Sequence, residues 1–353
     1  LYAGEKRSAF LLVWPSGSAY IARVYRKLSM KIIIPVAGTG TRLRPHTYSL
    51  PKPLLHVAGR PVITHLLDPV VPLDPEEVIF VVGYRGEQVR EYIRANYSFN
   101  ARFVHQDRLL GLGYALNLAL AGVDGGEVLV ILGDTVVECD LRKFVAAGDF
   151  VLGLRQVADP TRFGIAEVKD NRVVSLEEKP QNPKTNLAVI GLYFFKDIAK
   201  LSSTLASHVQ SGRLTRGEVQ FTDALQEMIE SGIHFVPYEV REWYDCGKKE
   251  TMLETNRHLL RSVGNTVKID GSVIIPPVFV APSAKVINAV LGPDVSVSEG
   301  AIIRRSIISN SIIASNATVH DALIENSIIG QEAVVKGCNQ VLNIGDSSDI
   351  TPA

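Results

Sequence analysis

Short blocks of consecutive apolar residues alternate with stretches whose apolar positions recur every three or four residues. The blocks at 32–36, 78–82, 103–105 and 128–132 read as strands, and the periodic stretches at 61–67, 87–95 and 114–120 read as helices between them. Strands that are apolar on both faces and alternate with helices predict an α/β fold with a mostly parallel, Rossmann-like sheet covered on both sides. Residues 150–195 are richer in strand patterning, and "IAEVKDNRVVSL" predicts a hairpin turning at Asp170 and Asn171. Helical spacing returns at 222–230 and 250–261.

Beyond residue 263 the period changes. Aliphatic residues stand five or six positions apart in four triplets: Ile274, Val280 and Val286; Leu291, Val297 and Ile303; Ile308, Ile313 and Val319; Ile324, Ile329 and Val335. The triplets start 17, 17 and 16 residues apart. One inward aliphatic on each of three sides per turn predicts a short left-handed parallel β-helix of four coils. An antiparallel sheet would show alternation of period two and turn pairs such as Asn-Gly, which are absent here. The chain thus divides into an extension at 1–29, an α/β domain at 30–262, a β-helix at 263–338 and a tail at 339–353.

Composition narrows the function classes. Lys and Arg total 37, and so do Asp and Glu, so no overall field favours a nucleic acid or an anionic membrane. Positive charge is local: residues 1–60 carry ten Lys and Arg against the single acid Glu5. Three scattered cysteines, Cys139, Cys246 and Cys338, fit neither a disulfide framework nor a structural zinc site, and a reducing cytoplasm is expected. No apolar run reaches the ~20 residues of a membrane helix. The apolar segment at 9–14 is cut by Pro15 and Gly17, too early for a signal core, so an uncleaved, soluble chain is expected.

The first strand runs into "AGTGTRLRP". Backbone N–H groups at Gly38, Thr39, Gly40 and Thr41 have the openness to surround phosphate oxygens, with Arg42 and Lys52 adding charge. Leu43 stands where a dinucleotide fingerprint needs its third glycine, which disfavours a dehydrogenase, and no G-K-S/T follows for a P-loop.

"AGTGTRLRP" followed by "PKPLL" resembles the signature of the sugar-1-phosphate nucleotidylyltransferases. Further segments match that family in order: "QDRLLGLGYAL", "LGDT", "FGIAE", "EEKP", "AVIGLYFF", "RGEVQFTD" and "WYDCG". The resemblance spans about 30–262, leans toward glucose-1-phosphate thymidylyltransferases, and extends to the hexapeptide-repeat tail that many members carry. It implies attack of a sugar-1-phosphate oxygen on the α-phosphorus of a nucleoside triphosphate, with pyrophosphate leaving. Charge neutralisation and alignment would carry such a reaction, with no protein nucleophile. By the same resemblance Asp134 and Asp245 would hold Mg²⁺, and Arg42 and Lys52 the triphosphate. Gln106 and Gly111 would read the base. Lys179 and Glu178 would bind the sugar phosphate, Gly164 and Gly191 would leave room for the sugar, and Arg216 would contact phosphate.

Two departures leave the nucleobase open: the loop is one residue shorter than the usual thymidylyltransferase form, and "LGDT" ends in Thr135 rather than Asn. Uridylyl and guanylyl transfer stay as alternatives, as does a catalytically silent assembly subunit. An acyltransferase tail would need a histidine between coils. His320 is the tail's one histidine, and its place reads as a turn. Small-molecule substrates and self-association are the expected partnerships.

Overall fold

Alternate side chains of the strand Lys31–Pro35 enter opposite cores. Ile33 packs with Ile79, Val81 and Val130 on one face, while Ile32 and Ile34 join Val78, Phe80, Leu129 and Ile131 on the other. A strand buried on both faces needs apolar residues throughout, which is why the sequence reads as a solid block there. In the computed structural model the described residues are 30–263, 268–337 and 339–351. The 1–29 extension and Cys338 lie outside them.

The main sheet has nine strands. Ala101–His105, Glu77–Val82, Lys31–Pro35 and Val128–Ile131 lie side by side in parallel. The long strand Leu187–Phe195 then joins Val128–Ile131 antiparallel, and it also pairs antiparallel with Phe150–Gln156 and Gly164–Lys169. The sheet is therefore parallel in its first half and mixed beyond. Helical crossovers join the early strands, whereas a tight turn joins Gly164–Lys169 to Arg172–Glu178. That turn places Asp170 and Asn171 at φ 48° and 57°, a left-handed pair suited to a two-residue hairpin. The helices Gly86–Asn96, Leu112–Leu120, Phe221–Glu230 and Lys249–Val263 fall where the periodicity puts them, within a few residues.

The C-terminal region consists of three sheets of short parallel strands, the arrangement of a left-handed β-helix. Ile274, Leu291, Ile308 and Ile324 stack in one register, Val280, Val297, Ile313 and Ile329 in a second, and Val286, Ile303, Val319 and Val335 in a third. Each sheet has five strands, so a fifth coil follows the four that the spacing predicts and takes up most of the expected tail. Gln340 is the reason it is hidden: it pairs with Ile324 where an aliphatic residue would continue the column, although Ile344 and Ile350 continue the other two.

The β-helix is seated on the α/β domain. Buried Asn256, on the helix Lys249–Val263, accepts from the Ala58 amide and the Ser296 hydroxyl, both at 2.8 Å, and donates to the Asp294 carbonyl. Leu43, Leu55, Val57 and Met252 share one apolar cluster with Ile312 and Ile328 of the coils. No helix among the described residues is long and apolar enough to cross a membrane.

Candidate active site

The site forms at the carboxyl ends of Lys31–Pro35 and Val128–Ile131, where open α/β sheets place ligands. After the first strand the backbone turns at Gly40, φ 63°, and the Thr47 hydroxyl donates to the Gly40 carbonyl at 2.9 Å. The short helix Lys52–Leu54 begins between Pro51 and Pro53, which fix its backbone. Lys52 is 8% exposed, and its Nζ donates to Asp134 Oδ2 at 2.7 Å.

Asp134 is delivered by a close backbone crossing. A Cβ on Gly133 would lie 2.2 Å from Val36 Cγ1, so no side chain fits there. Beyond Asp134 the ribbon Thr135–Glu138 pairs antiparallel with Glu242–Asp245, setting Thr135 opposite Asp245, and the Cys246 amide donates to the Asp134 carbonyl at 3.1 Å. Two aspartates far apart in sequence thereby become neighbours. Burial pushes the Cys246 thiol, next in sequence to Asp245, up to about 12, so it stays protonated.

Asp134 borders two cavities. One, of ≈ 350 Å³, also meets Gly38, Thr39, Lys52, Gln106 and Gly111. Gln106 is 8% exposed, and its side-chain amide donates to the Arg108 carbonyl at 2.9 Å. Gly111 has φ 92°, and a Cβ there would lie 2.7 Å from Glu218 Cβ, so this wall accepts only glycine. The other cavity, of ≈ 430 Å³, meets Arg42, Gly164, Glu178, Lys179 and Asp245. The Thr222 hydroxyl donates to Glu178 Oε2 at 2.6 Å, and Lys179 Nζ lies 3.1 Å from Glu178 Oε1. Tyr193, buried on this wall, has its phenol pushed well above the usual range by burial and by the charges of Glu178 and Asp134.

Not every expected residue lies on a cavity wall. Gly191 sits behind one: its φ is 84°, a Cβ would lie 2.6 Å from Leu132 side-chain atoms, and the strand register shifts between Val189 and Tyr193 around it. It shapes the strand that presents Ile190 and Tyr193 to the cavity. Arg216, on an exposed turn at φ 57°, donates to the Lys179 carbonyl at 2.8 Å and so braces that residue's backbone. Gly40 and Thr41 form the turn itself.

Two residues escape sequence reasoning. Arg162 Nη2 stands 3.9 Å from Asp245 Oδ2, and Trp243 packs edge-on against Phe163 at 5.4 Å. Both border the larger cavity, and both adjoin segments already quoted: Arg162 precedes "FGIAE", and Trp243 opens "WYDCG". In the tail, His320 lies 2.7 Å from the Asp321 carboxylate and 2.9 Å from Arg305, at a coil corner.

Asp134 and Asp245 suit a hard divalent cation by donor type. Among the described residues no group of three or more His, Cys, Asp or Glu side chains could hold a metal. A Mg²⁺ here would therefore complete its shell with phosphate oxygens and water, as that ion commonly does.

The chain belongs to the nucleotidyl transferase family, whose profile matches residues 31–262. It is 30% identical over 327 residues to a glucose-1-phosphate thymidylyltransferase of Streptomyces griseus, covering 82% of this chain and 88% of that protein. To the bifunctional protein GlmU of Methanococcus aeolicus it is 34% identical over 260 residues, 70% of this chain but 60% of the relative. The chain thus spans about three fifths of those bifunctional proteins. Among solved structures, a putative glucose-1-phosphate thymidylyltransferase from Bacillus anthracis, in complex with a sucrose, superposes with a TM-score of 0.57 at 27% identity, over 68% of this chain and 97% of that one. A UDP-glucose pyrophosphorylase complexed with UDP-glucose shares the fold at a TM-score of 0.58 and 21% identity, over 67% of this chain and 100% of its own.

Proposed function

We propose that this protein transfers a nucleotidyl group from a nucleoside triphosphate to a sugar-1-phosphate, with dTTP and glucose-1-phosphate the preferred pair, releasing pyrophosphate. The observation that carries the reading is Asp134: it borders both cavities and pairs with Lys52, so the reacting phosphates of two ligands would meet at its carboxylate.

In this reading the sugar phosphate oxygen attacks the α-phosphorus and the bond to pyrophosphate breaks. Lys52 and Arg42 hold the triphosphate and neutralise the leaving group, while the Gly40 turn offers backbone N–H groups. Lys179 grips the sugar phosphate. Glu178, oriented by the Thr222 hydroxyl, accepts from sugar hydroxyls. Gln106 and the bare backbone at Gly111 recognise the base edge, where a mismatched base leaves buried polar groups unpaired. Mg²⁺ bound by Asp134 and Asp245 would offset the mutual repulsion of the phosphates. The cleft residues assist by alignment and charge, since no nucleophile of the protein is required.

A cytoplasmic setting and self-association belong to the same reading. Val273, Val290, Ile307 and Leu323 stack in one outward column on successive coils, and three of them are well exposed, an apolar ladder that a second copy would cover. Sedimentation velocity tests this: a monomer at tens of micromolar would end it.

The deciding assay follows pyrophosphate release with Mg²⁺ across dTTP, UTP, GTP, CTP and ATP against several sugar-1-phosphates. Release only when both substrates are present, fastest with dTTP and glucose-1-phosphate, is expected. Preference for UTP or GTP would move the assignment to that base, and silence with every pair would favour an assembly subunit.

A further inference from the structure

The segment between Arg42 and Lys52 is held from outside the α/β domain. His46 is 3% exposed, and its Nε2 donates to Asn343 Oδ1 at 2.8 Å. The Ser49 hydroxyl donates to the Asp346 carboxylate, whose other oxygen accepts from the Gln331 amide at 2.8 Å. That carboxylate is thus tied to the preceding coil and to the loop at once. Between these contacts Gly345 meets Pro45 so closely that a Cβ would lie 2.8 Å from two proline carbons. All three partners belong to the fifth coil.

Two further contacts relay this grip into the cleft. Thr47, next to His46 and 1% exposed, donates to the Gly40 carbonyl. A Cβ on Gly40 would lie 2.8 Å from Thr47 Cγ2 and 3.3 Å from Lys52 Cβ, so turn, threonine and lysine are mutually in contact. Apolar packing alone leaves this seam incompletely filled: a cavity of ≈ 200 Å³ there is bordered by His46, Leu54, Ile312, Gln331 and Asp346. Directional polar contacts therefore set the loop's position.

We propose that the last coil of the β-helix is a positioning element of the active site, in which Asn343, Gly345 and Asp346 hold the loop that sets Gly40 and Lys52 against the triphosphate. The effect on catalysis rests on the function proposed above; the mechanical coupling does not. Gly38, Thr39 and Lys52 border the cavity that Lys179 and Glu178 do not, so the coil should act chiefly on the triphosphate.

The test compares the full-length protein with the double variant Asn343→Leu/Asp346→Ala, with Gly345→Val, and with Asn343→Asp, which keeps the acceptor for His46. Backbone hydrogen exchange at residues 41–50 and steady-state kinetics are read on each, with circular dichroism confirming that the coils stay folded. In the double variant and in Gly345→Val, loop amides are expected to exchange about tenfold faster. The triphosphate KM should rise about fivefold or more while the sugar-phosphate KM stays within about twofold. Asn343→Asp should behave like the parent. Unchanged loop exchange overturns the proposal, and so does an equal rise of both KM values. Should the parent protein show no turnover, the proposed function fails, and the positioning role is decided by loop exchange together with protection of residues 38–41 by Mg²⁺-dTTP.

Discussion

The cleft and the β-helix solve opposite problems. In the cleft, Lys52, Asp134, the adjacent pair Glu178 and Lys179, and Asp245 come from four separate segments of the chain, and each is held by one or two specific contacts. In the β-helix the same three columns repeat coil after coil, and Val297, Ile303, Ile313, Val319, Ile329 and Val335 are fully buried. A repeated column spreads stability over many equivalent contacts, whereas the cleft gathers charged groups, Lys52 with Asp134 and Lys179 beside Glu178, whose withdrawal from water offsets much of what their pairing contributes. Function and stability should accordingly respond to different substitutions.

The sharpest break in that contrast is Asp134→Asn. It is expected to lower kcat about a hundred- to a thousandfold, the range for losing one preorganised charge contact, while the melting temperature changes little. Measured pyrophosphate release within tenfold of the parent would remove Asp134 from the chemistry. The converse is Ile303→Ala in the β-helix, which should cost about 2–5 kcal/mol by urea unfolding through its cavity and leave KM for the sugar phosphate untouched.

Acidification probes the junction between the two regions. His46, His56 and His65 all have their pKa lowered, chiefly by burial. Below about pH 6.5 the unfolded chain takes up protons that the folded protein does not, so stability is full above that value and falls as pH drops toward the depressed folded values. Urea midpoints at pH 7.5 and 5.5 should show the loss, and His46→Gln should flatten it. The smallest effect is expected at Arg60–Asp68, 2.7 Å apart but about half exposed, where Arg60→Ala should cost no more than about 1 kcal/mol and leave turnover unchanged.

Legibility in the sequence followed the same divide. The β-helix was readable because its period is carried by twelve aliphatic residues, and it became unreadable at Gln340, where one polar residue ended the pattern though the coil continued. The parallel strands were readable from their unbroken apolar blocks. The antiparallel half was harder: its strands owe their places to pairings such as Leu187–Phe195 with three partners, which no local pattern encodes. Within the cleft, family-like segments pointed to residues that fold together, including Asp134 with Asp245. Gly191 and Arg216 sit one step back, since a glycine or an arginine beside a site looks the same in sequence whether it faces the cavity or supports the wall. Arg162 and Trp243 were hidden by the converse ambiguity.

The pairing of Thr135–Glu138 with Glu242–Asp245 also bears on how the molecule is made. Most of the large sheet can assemble once residue 239 has left the ribosome, yet one of the two carboxylates at its edge is still missing. A nascent chain is thus well ordered before it is chemically complete, and a truncation product ending at 240 should fold around its sheet while lacking Asp245 altogether.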